Sequence, residues 1–342
     1  MKFLKKIKVD DFKLLFQPLY WLKKIKATYY VWELMTRSAC SQPPESPEPV
    51  DPEATALFPK GSEARAVTTI ADLWVRYRAG GRDFRGSQLA QVDLSRSDLG
   101  GIDLSRSDLN RAQLREIDWV EAILRGADLR EADLQRANLA GADLSRANLH
   151  RVNLTAATLT GANLSGSRLE GSNLRHAYVI GANFSEAFMW KTDLREANLS
   201  GSDLSRAALR GAVLTEVNLS LANLTSTNLS QAQLSRALLA DAGLHGTILM
   251  GCNLQGSQLS KADLSLALLL GANLQQANLR GAGLVGASVR GAAFQGADLR
   301  GAVMQVRNLE QAQLEGALYN WQTVLPQGFD PVGAGMVWSE EG

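Results

Sequence analysis

The sequence contains few aromatic residues, prolines, cysteines or long apolar runs, and each shortage narrows the class of protein. Only 6% of the 342 residues are aromatic and only 9 are proline, so a feature other than aromatic packing must fill the core. Two cysteines, Cys40 and Cys252, cannot form a disulfide framework and suit a reducing compartment such as the cytoplasm. No stretch approaches the roughly 18 uninterrupted apolar residues of a membrane-spanning helix.

The charge of the chain is nearly balanced. Lys and Arg number 36 and Asp and Glu number 35, which gives a net charge of +1. This balance argues against a wholly acidic mimic of DNA and against a wholly basic nucleic-acid coat. Because 45% of the residues are apolar, the chain can bury a core and is not expected to be disordered in bulk.

The dominant feature of the sequence is a repeat of five residues. Every fifth position from Phe84 to Tyr319 is large and apolar, without a break in register, and leucine occupies all but nine of these positions. The residue two places earlier is almost always Ala, Ser, Thr, Val or Cys. Trp119 occupies one of the leucine positions and is expected to distort its surroundings locally.

A period of five matches neither an amphipathic helix nor a flat strand. A coil that turns a corner with every unit can bury the pattern, because four units close one square turn and each leucine stacks on a leucine of the next turn. The small residue also points inward, where a larger one would push the walls apart. The 48 units predict an all-β solenoid of twelve coils, about 58 Å long at about 4.8 Å per coil.

These units resemble the pentapeptide-repeat family, whose pattern is Ala, then Asp or Asn, then Leu and two further residues. Ala132-Asp133-Leu134 is one example, and such units cover most of the chain. The resemblance implies a right-handed quadrilateral β-helix, including the handedness, which the period alone does not give.

A solenoid leaves open strand edges at its ends, so capping segments are expected on both sides of the repeat region, residues 82–320. Residues 62–81 predict an N-terminal capping helix, with Ser62 as the N-cap and Gly80-Gly81 as its stop. Residues 321–342 look like the closing segment of many bacterial members of the family and are expected to cover the last coil.

The N-terminal part of the chain, before the capping helix, differs in composition from the rest. Residues 38–61 are rich in proline and predict an extended linker. Residues 1–37 hold nine basic and three acidic residues, and they predict a helical arm with apolar and aromatic residues on one face and lysines opposite. This arm suits an anionic membrane surface or an acidic partner groove; alternatively, its helices pack on the solenoid or on each other. The residues of its two near-identical segments are Phe3, Leu4, Lys5, Lys6, Ile7, Trp21, Leu22, Lys23, Lys24 and Ile25.

No motif in the repeat predicts catalysis. Gly281-Ala282-Gly283-Leu284-Val285-Gly286 matches a dinucleotide-binding pattern, but its glycines lie at outward positions of the repeat and lack the strand, helix and acidic residue that such a site needs. The three histidines fall on different sides of the square and cannot share a metal ion. We therefore predict a protein that is not an enzyme and has no cofactor or metal.

The resemblance also raises the hypothesis of DNA mimicry, because the best-known members of the family protect DNA gyrase by imitating the charge of DNA. Residues 82–322 contain 23 basic and 23 acidic residues, so the repeat region lacks a phosphate-like field. DNA mimicry at a topoisomerase is disfavoured, and direct binding of nucleic acid is not expected.

One departure from the pattern predicts a binding surface. Outward positions should be polar, yet apolar residues occupy several of them on two adjoining coils, and two aromatic residues lie on the same side three coils earlier. The alternative is that the tail after Tyr319, or the arm, covers this surface. The residues concerned are Ile248, Met250, Leu266, Leu268, Leu270, Phe188 and Trp190.

The sequence thus predicts a cytoplasmic, non-catalytic scaffold that binds an unidentified protein partner. The alternative is a membrane-peripheral module held by the arm. The oligomeric state is left open.

Overall fold

The computed structural model describes residues 66–340 of the chain. The chain divides into two units, Met1–Phe58 and Pro59–Gly342, and every described residue belongs to the second. The predicted arm, residues 1–37, and the predicted linker, residues 38–61, lie outside the described residues.

The first element is helix α1, Ile70–Arg78, which precedes the repeats. Thr69 is its N-cap, and the Thr69 side chain accepts a hydrogen bond of 3.2 Å from the backbone N–H of Asp72. The prediction of Ser62 as N-cap is therefore wrong. The helix cannot extend back through Val67, because the carbonyl of that residue already accepts the N–H of Gln88 in the first coil, at 2.9 Å.

After α1 the chain forms a four-sided parallel β-helix with four repeat units in each coil. Parallel bridges join each outward residue before a leucine to its equivalent one coil later, from Asp83 with Asp103 onward. Hydrogen bonds run in both directions between coils: Leu134 N donates to Asn153 O (2.8 Å), and Asn153 N donates to Ala132 O (3.0 Å). Every side of a coil is thus a very short strand in a long parallel ladder.

A tight turn separates one side from the next. Ala137 N donates to Leu134 O at 3.0 Å, and Arg136 between them has φ of 59°. Positive φ recurs at this corner position in coil after coil, whether the residue is glycine or not. Where Asp or Asn precedes the leucine, its side chain stabilises the turn: Asn153 Oδ1, for instance, accepts the N–H of Thr155 at 3.2 Å.

The predicted leucine core is confirmed, because the large apolar residue of each unit from Phe84 to Leu314 is buried, and only Tyr319 at the end of the series is half-buried. Most buried hydroxyls among the small inward residues find backbone partners, as where Thr227 Oγ1 donates to Leu204 O at 2.8 Å, whereas Ser257 Oγ has none in the described part of the chain. Trp119 is also fully buried, and its backbone N–H keeps a 2.8 Å bond to Asn138 O. The expected distortion around Trp119 is therefore wrong.

The ladder slips by one residue near its C-terminal end. Val306 stands at a corner position, and a β-branched side chain is strongly disfavoured at positive φ. The chain shortens the corner, and Arg307 takes the bridging place that the repeat assigns to Asn308. A 3-10 helix at Leu309–Gln311 adds the missing residue back, so the regular spacing resumes at Gln313. The prediction of an unbroken register is wrong at this point.

The C-terminal tail continues the ladder beyond the repeats. Strand β1, Leu318–Tyr319, pairs in parallel with strand β2, Val337–Trp338. The Tyr319 and Trp338 rings meet edge to face with centroids 5.4 Å apart. Phe329 packs against the end of the core, so the tail lies on the last coil.

Candidate interaction surface

One ladder of the β-helix carries the predicted apolar residues in a single line. Successive bridges connect Phe188, Ala208, Asn228, Ile248 and Leu268 at one place on successive coils. Three steps therefore separate Phe188 from Ile248, about 14 Å at the usual spacing between strands. The structure brings the predicted residues to one side of the square.

The next corner along the same side adds a second line. Gln231 N donates to Met250 O and Gly251 N donates to Leu270 O, both at 2.9 Å, so Met250 and Leu270 occupy the same corner of adjacent coils. Trp190 occupies this corner further back. Met250 and Leu270 are about 40% exposed, and the repeat supplies no reason for apolar residues there.

Leu266 reaches the same side from the preceding corner. It has φ of 59°, and it is half exposed. Its side chain lies over Gly286 of the next coil, where a Cβ atom would approach Leu266 Cδ2 to 2.8 Å. Glycine at position 286 therefore leaves the space that lets Leu266 lie along the surface.

We call this set the apolar surface, and Phe188 with Trp190 the aromatic pair. The two aromatic rings meet edge to face with centroids 6.1 Å apart. The members of the apolar surface are Ile248, Met250, Leu266, Leu268 and Leu270.

The tail does not cover the apolar surface. Residues after Tyr319 pair with and pack on the last coil, where Arg300 Nη1 donates to Ser339 Oγ at 3.2 Å. Leu268 remains 42% exposed. The alternative that the tail shields the surface is therefore wrong, whereas the alternative involving the arm concerns residues outside the described range.

Some exposed apolar residues were missed by the sequence analysis. Val285 extends the apolar surface, because its carbonyl accepts the N–H of Leu266 at 2.9 Å. Tyr178 and Leu238 are exposed in another ladder, and Leu221 is exposed at a corner beside it. Each occupies an outward position of the repeat, so the rule that identified Leu268 would also have found these residues.

The described residues offer little for chemistry. Burial raises the pKa of the Cys252 thiol to about 12, so this cysteine stays protonated and unreactive at neutral pH. His150 Nδ1 lies 4.0 Å from Glu170 Oε2, and His176 Nδ1 lies 3.4 Å from Glu196 Oε2. Between residues 66 and 340, no three His, Cys, Asp or Glu side chains converge in a way that could hold a metal ion. In that same range, no helix is long and apolar enough to cross a membrane.

Several charged residues of the repeats pair across coils. Arg96 Nε lies 3.2 Å from Glu116 Oε2, and Arg111 Nε lies 2.9 Å from Glu131 Oε2. These pairs are exposed, so each contributes little to stability.

Comparison with known proteins identifies the family of these repeats. The family described as "Pentapeptide repeats (8 copies)" matches in overlapping segments between residues 83 and 318. HetL from the cyanobacterium Nostoc sp. strain PCC 7120, a pentapeptide repeat protein involved in heterocyst differentiation regulation, is 34% identical, with 70% of this chain and 98% of HetL covered and a TM-score of 0.41. No curated protein matches the chain.

Two further solved structures are similar. Rfr23, a pentapeptide repeat protein from the cyanobacterium Cyanothece 51142, is 27% identical, with 39% of this chain and 94% of Rfr23 covered and a TM-score of 0.17. QnrB1, a plasmid-mediated fluoroquinolone resistance protein, is 15% identical, with 54% of this chain and 92% of QnrB1 covered and a TM-score of 0.27.

The family match spans well over half of the chain and coincides with the bridged coils. The fold of this family is a right-handed quadrilateral β-helix, and its members are generally non-catalytic and often serve as modules for protein interaction. From its five-residue units, its four-sided ladder and this match, the chain belongs to the pentapeptide-repeat family.

Proposed function

We propose that the protein is a non-catalytic scaffold that binds a protein partner through the apolar surface. The observation that carries this proposal is the exposure of neighbouring Met250, Leu266, Leu268 and Leu270 on one side of the hydrogen-bonded β-helix. Exposing such side chains to water is unfavourable, and a contiguous patch of this kind usually marks a binding site.

The backbone under the apolar surface favours binding. Each residue of the ladder is held by hydrogen bonds to the coils on both sides, as where Leu268 N donates to Thr247 O (2.9 Å) and Leu249 N donates to Leu268 O (2.8 Å). A partner therefore meets a backbone that is already ordered, and binding does not have to supply the free energy for ordering it.

A substitution in the apolar surface tests the proposal. Partner capture from cell extract should be lost when Leu268 and Leu270 are both changed to Ser. Leu238→Ser is the matched control, because Leu238 is also 42% exposed and also occupies a bridging position, but on another ladder. Equal capture by the double variant and the wild type would rule out this surface.

The arm supports a second candidate, a membrane-peripheral role. Its net charge of +6 and its aromatic, amphipathic segments suit an anionic bilayer. Full-length protein should then sediment with phosphatidylglycerol vesicles, and a smaller fraction should sediment in high salt. A variant with Lys5, Lys6, Lys23 and Lys24 changed to Glu should not sediment with the vesicles. Equal sedimentation of the two proteins would exclude the idea. The balanced charge of the repeats gives no support to DNA mimicry.

We also propose that the β-helix has twelve coils and that α1 caps its first one. Two contacts support the cap: Tyr77 Oη donates to Gly100 O at 2.9 Å, and Arg76 Nη2 donates to Asp83 O at 3.0 Å. Capping would protect the first open edge from pairing with other chains.

A further inference from the structure

The charge around the apolar surface is one-sided, unlike the balanced charge of the repeats as a whole. On this side of the square and at its two corners, no acidic residue occurs between Glu186 and Glu310. Glu186 is moreover paired with Arg206, at 3.4 Å. The basic residues of this side are Lys191, Arg206, Arg210, Arg290 and Arg307.

The arginines lie beyond both ends of the apolar surface. Arg290 follows Leu270 at the same corner one coil later, and Arg307 follows in the bridged ladder. Arg210 lies at this corner on the other side, two coils before Met250. Four coils separate Arg210 from Arg290, which is about 19 Å at the usual strand spacing.

Arg210, Arg290 and Arg307 have no acidic partner among the described residues, unlike several arginines of the N-terminal coils. Within residues 66–340, no carboxylate oxygen lies within 4.0 Å of the guanidinium of Arg210, Arg290 or Arg307. In the N-terminal coils, by contrast, Arg96 and Arg111 each face a glutamate in the next coil. The counter-charge for this side must therefore come from solvent ions or from a partner.

A second copy of the chain does not fit this side. Both ends of the apolar surface are basic, so two copies would bring arginines together whether they aligned parallel or antiparallel, and like charges in contact are unfavourable. The members of the apolar surface lie on only two adjoining coils, about 5 Å apart at the usual strand spacing, a much narrower strip than the face that each partner buries in a standard interface between folded proteins. A strip of this width suits a single peptide segment.

We propose that the partner segment is an amphipathic helix whose apolar face is flanked at both ends by Asp or Glu. The inference rests on the proposed function and names the chemistry of the partner. A span of about 19 Å corresponds to about 13 residues of helix at 1.5 Å each. Apolar residues of the segment pack on Met250, Leu268 and Leu270, and its terminal carboxylates meet Arg210 and Arg290.

Selection from a random library tests this chemistry without assuming a partner. Phage-displayed 16-residue peptides are selected on the full-length protein and, in parallel, on a variant with Leu268→Ser and Leu270→Ser. Peptides enriched only on the wild type should carry apolar residues at helical spacing and acidic residues near both ends. The result that overturns the inference is enrichment of peptides without such acidic residues, or no enrichment that depends on Leu268 and Leu270.

Charge reversal is the second part of the experiment. The best peptide should bind at least tenfold more weakly to a variant with Arg210→Glu and Arg290→Glu, and its Lys-for-Glu analogue should regain affinity for that variant. Lys261→Glu, a charge reversal at an exposed corner that does not border this side, is the control and should leave the Kd unchanged. Equal losses in the control and the double variant would overturn the inference.

The outcomes separate this inference from the proposed function. Peptides that need Leu268 and Leu270 but not the arginines would leave the scaffold role standing and overturn the acidic flanks. Sedimentation with phosphatidylglycerol vesicles that depends on Leu268 and Leu270 would overturn the peptide partner in favour of a lipid surface.

Discussion

The corner residues test whether the β-helix imposes positive φ on residues other than glycine, and Ala156 is the clearest case. It has φ of 56°, in the left-handed region, although it is not glycine. If this conformation is imposed by the ladder, Ala156→Gly should stabilise the protein and Ala156→Val should destabilise it. The second change reproduces the problem that Val306 poses at its own corner.

The magnitudes follow from two opposing terms. An alanine in the left-handed region costs about 1–2 kcal/mol relative to glycine. Glycine offsets about 0.5–1 kcal/mol of this through its greater freedom in the unfolded chain. The net gain for Ala156→Gly is therefore about 0.5 kcal/mol or slightly more in the free energy of unfolding, and the midpoint of thermal unfolding should rise by about 1–2 °C. Ala156→Val should cost at least about 1 kcal/mol, because its second γ-methyl group crowds the backbone at positive φ.

Thermal and urea unfolding followed by circular dichroism measures these changes. Ala140 is the matched control, because it occupies the first of the two corner positions, one place before the residue with positive φ, and does not itself have positive φ. Ala140→Gly should destabilise the protein by about 0.5–1 kcal/mol, opposite in sign to the change at position 156. Glycine substitutions with the same sign at the two positions would refute the argument and, with it, the explanation of the slip at Val306.

Three further predictions concern single side chains. In a Cys40→Ser background, Cys252 should resist a thiol reagent at pH 8 until the protein unfolds, because burial raises its pKa to about 12; rapid labelling of the native protein would contradict this. Burial raises the pKa of Asp193, but hydrogen bonds and the charge of Arg195 outweigh this effect, so the pKa of the folded protein is lowered. The ionised Asp193 therefore contributes fully to the free energy of unfolding above about pH 4, and this contribution is lost as the pH falls through the lowered pKa. Asp193→Asn should flatten that acid-side decline in urea titrations, and an unchanged pH profile would exclude the role. Tyr77→Phe should cost about 1 kcal/mol through loss of its hydrogen bond to the first coil, measured by urea unfolding, and a neutral effect would mean that α1 contributes little at this contact.

Much of the fold could be predicted from the sequence because one rule repeats in every coil. The burial of leucines such as Leu134 follows directly from the period of five, since no other regular backbone buries every fifth residue. The slip at Val306 was missed although its signals were present: a β-branched residue at a corner, and Arg307 where the pattern requires a small side chain. A period describes an average unit, whereas a slip depends on the φ that one particular residue can adopt.

The start of α1 could not be predicted from the sequence, for a different reason. Helix propensity and spacing allow a helix from Ser62, but the backbone of Val67 is taken by hydrogen bonds to Ser87 and Gln88 in the first coil. Such a contact between segments distant in the chain cannot be read from local sequence. The apolar surface was predictable by position, yet its one-sided charge emerges only when residues far apart in sequence, such as Arg210 and Arg290, are placed at one corner.

Because four units close each coil, the β-helix presents residues at fixed spacings along each of its four sides. Inserting or deleting a whole coil between Phe188 and Ile248 would change their separation by about 4.8 Å and leave both on the same side. Adding a single repeat unit would instead turn everything after it by one side, so that the aromatic pair and the apolar surface would face different directions. Length and direction can thus vary independently in this architecture, through changes of whole coils and of single units.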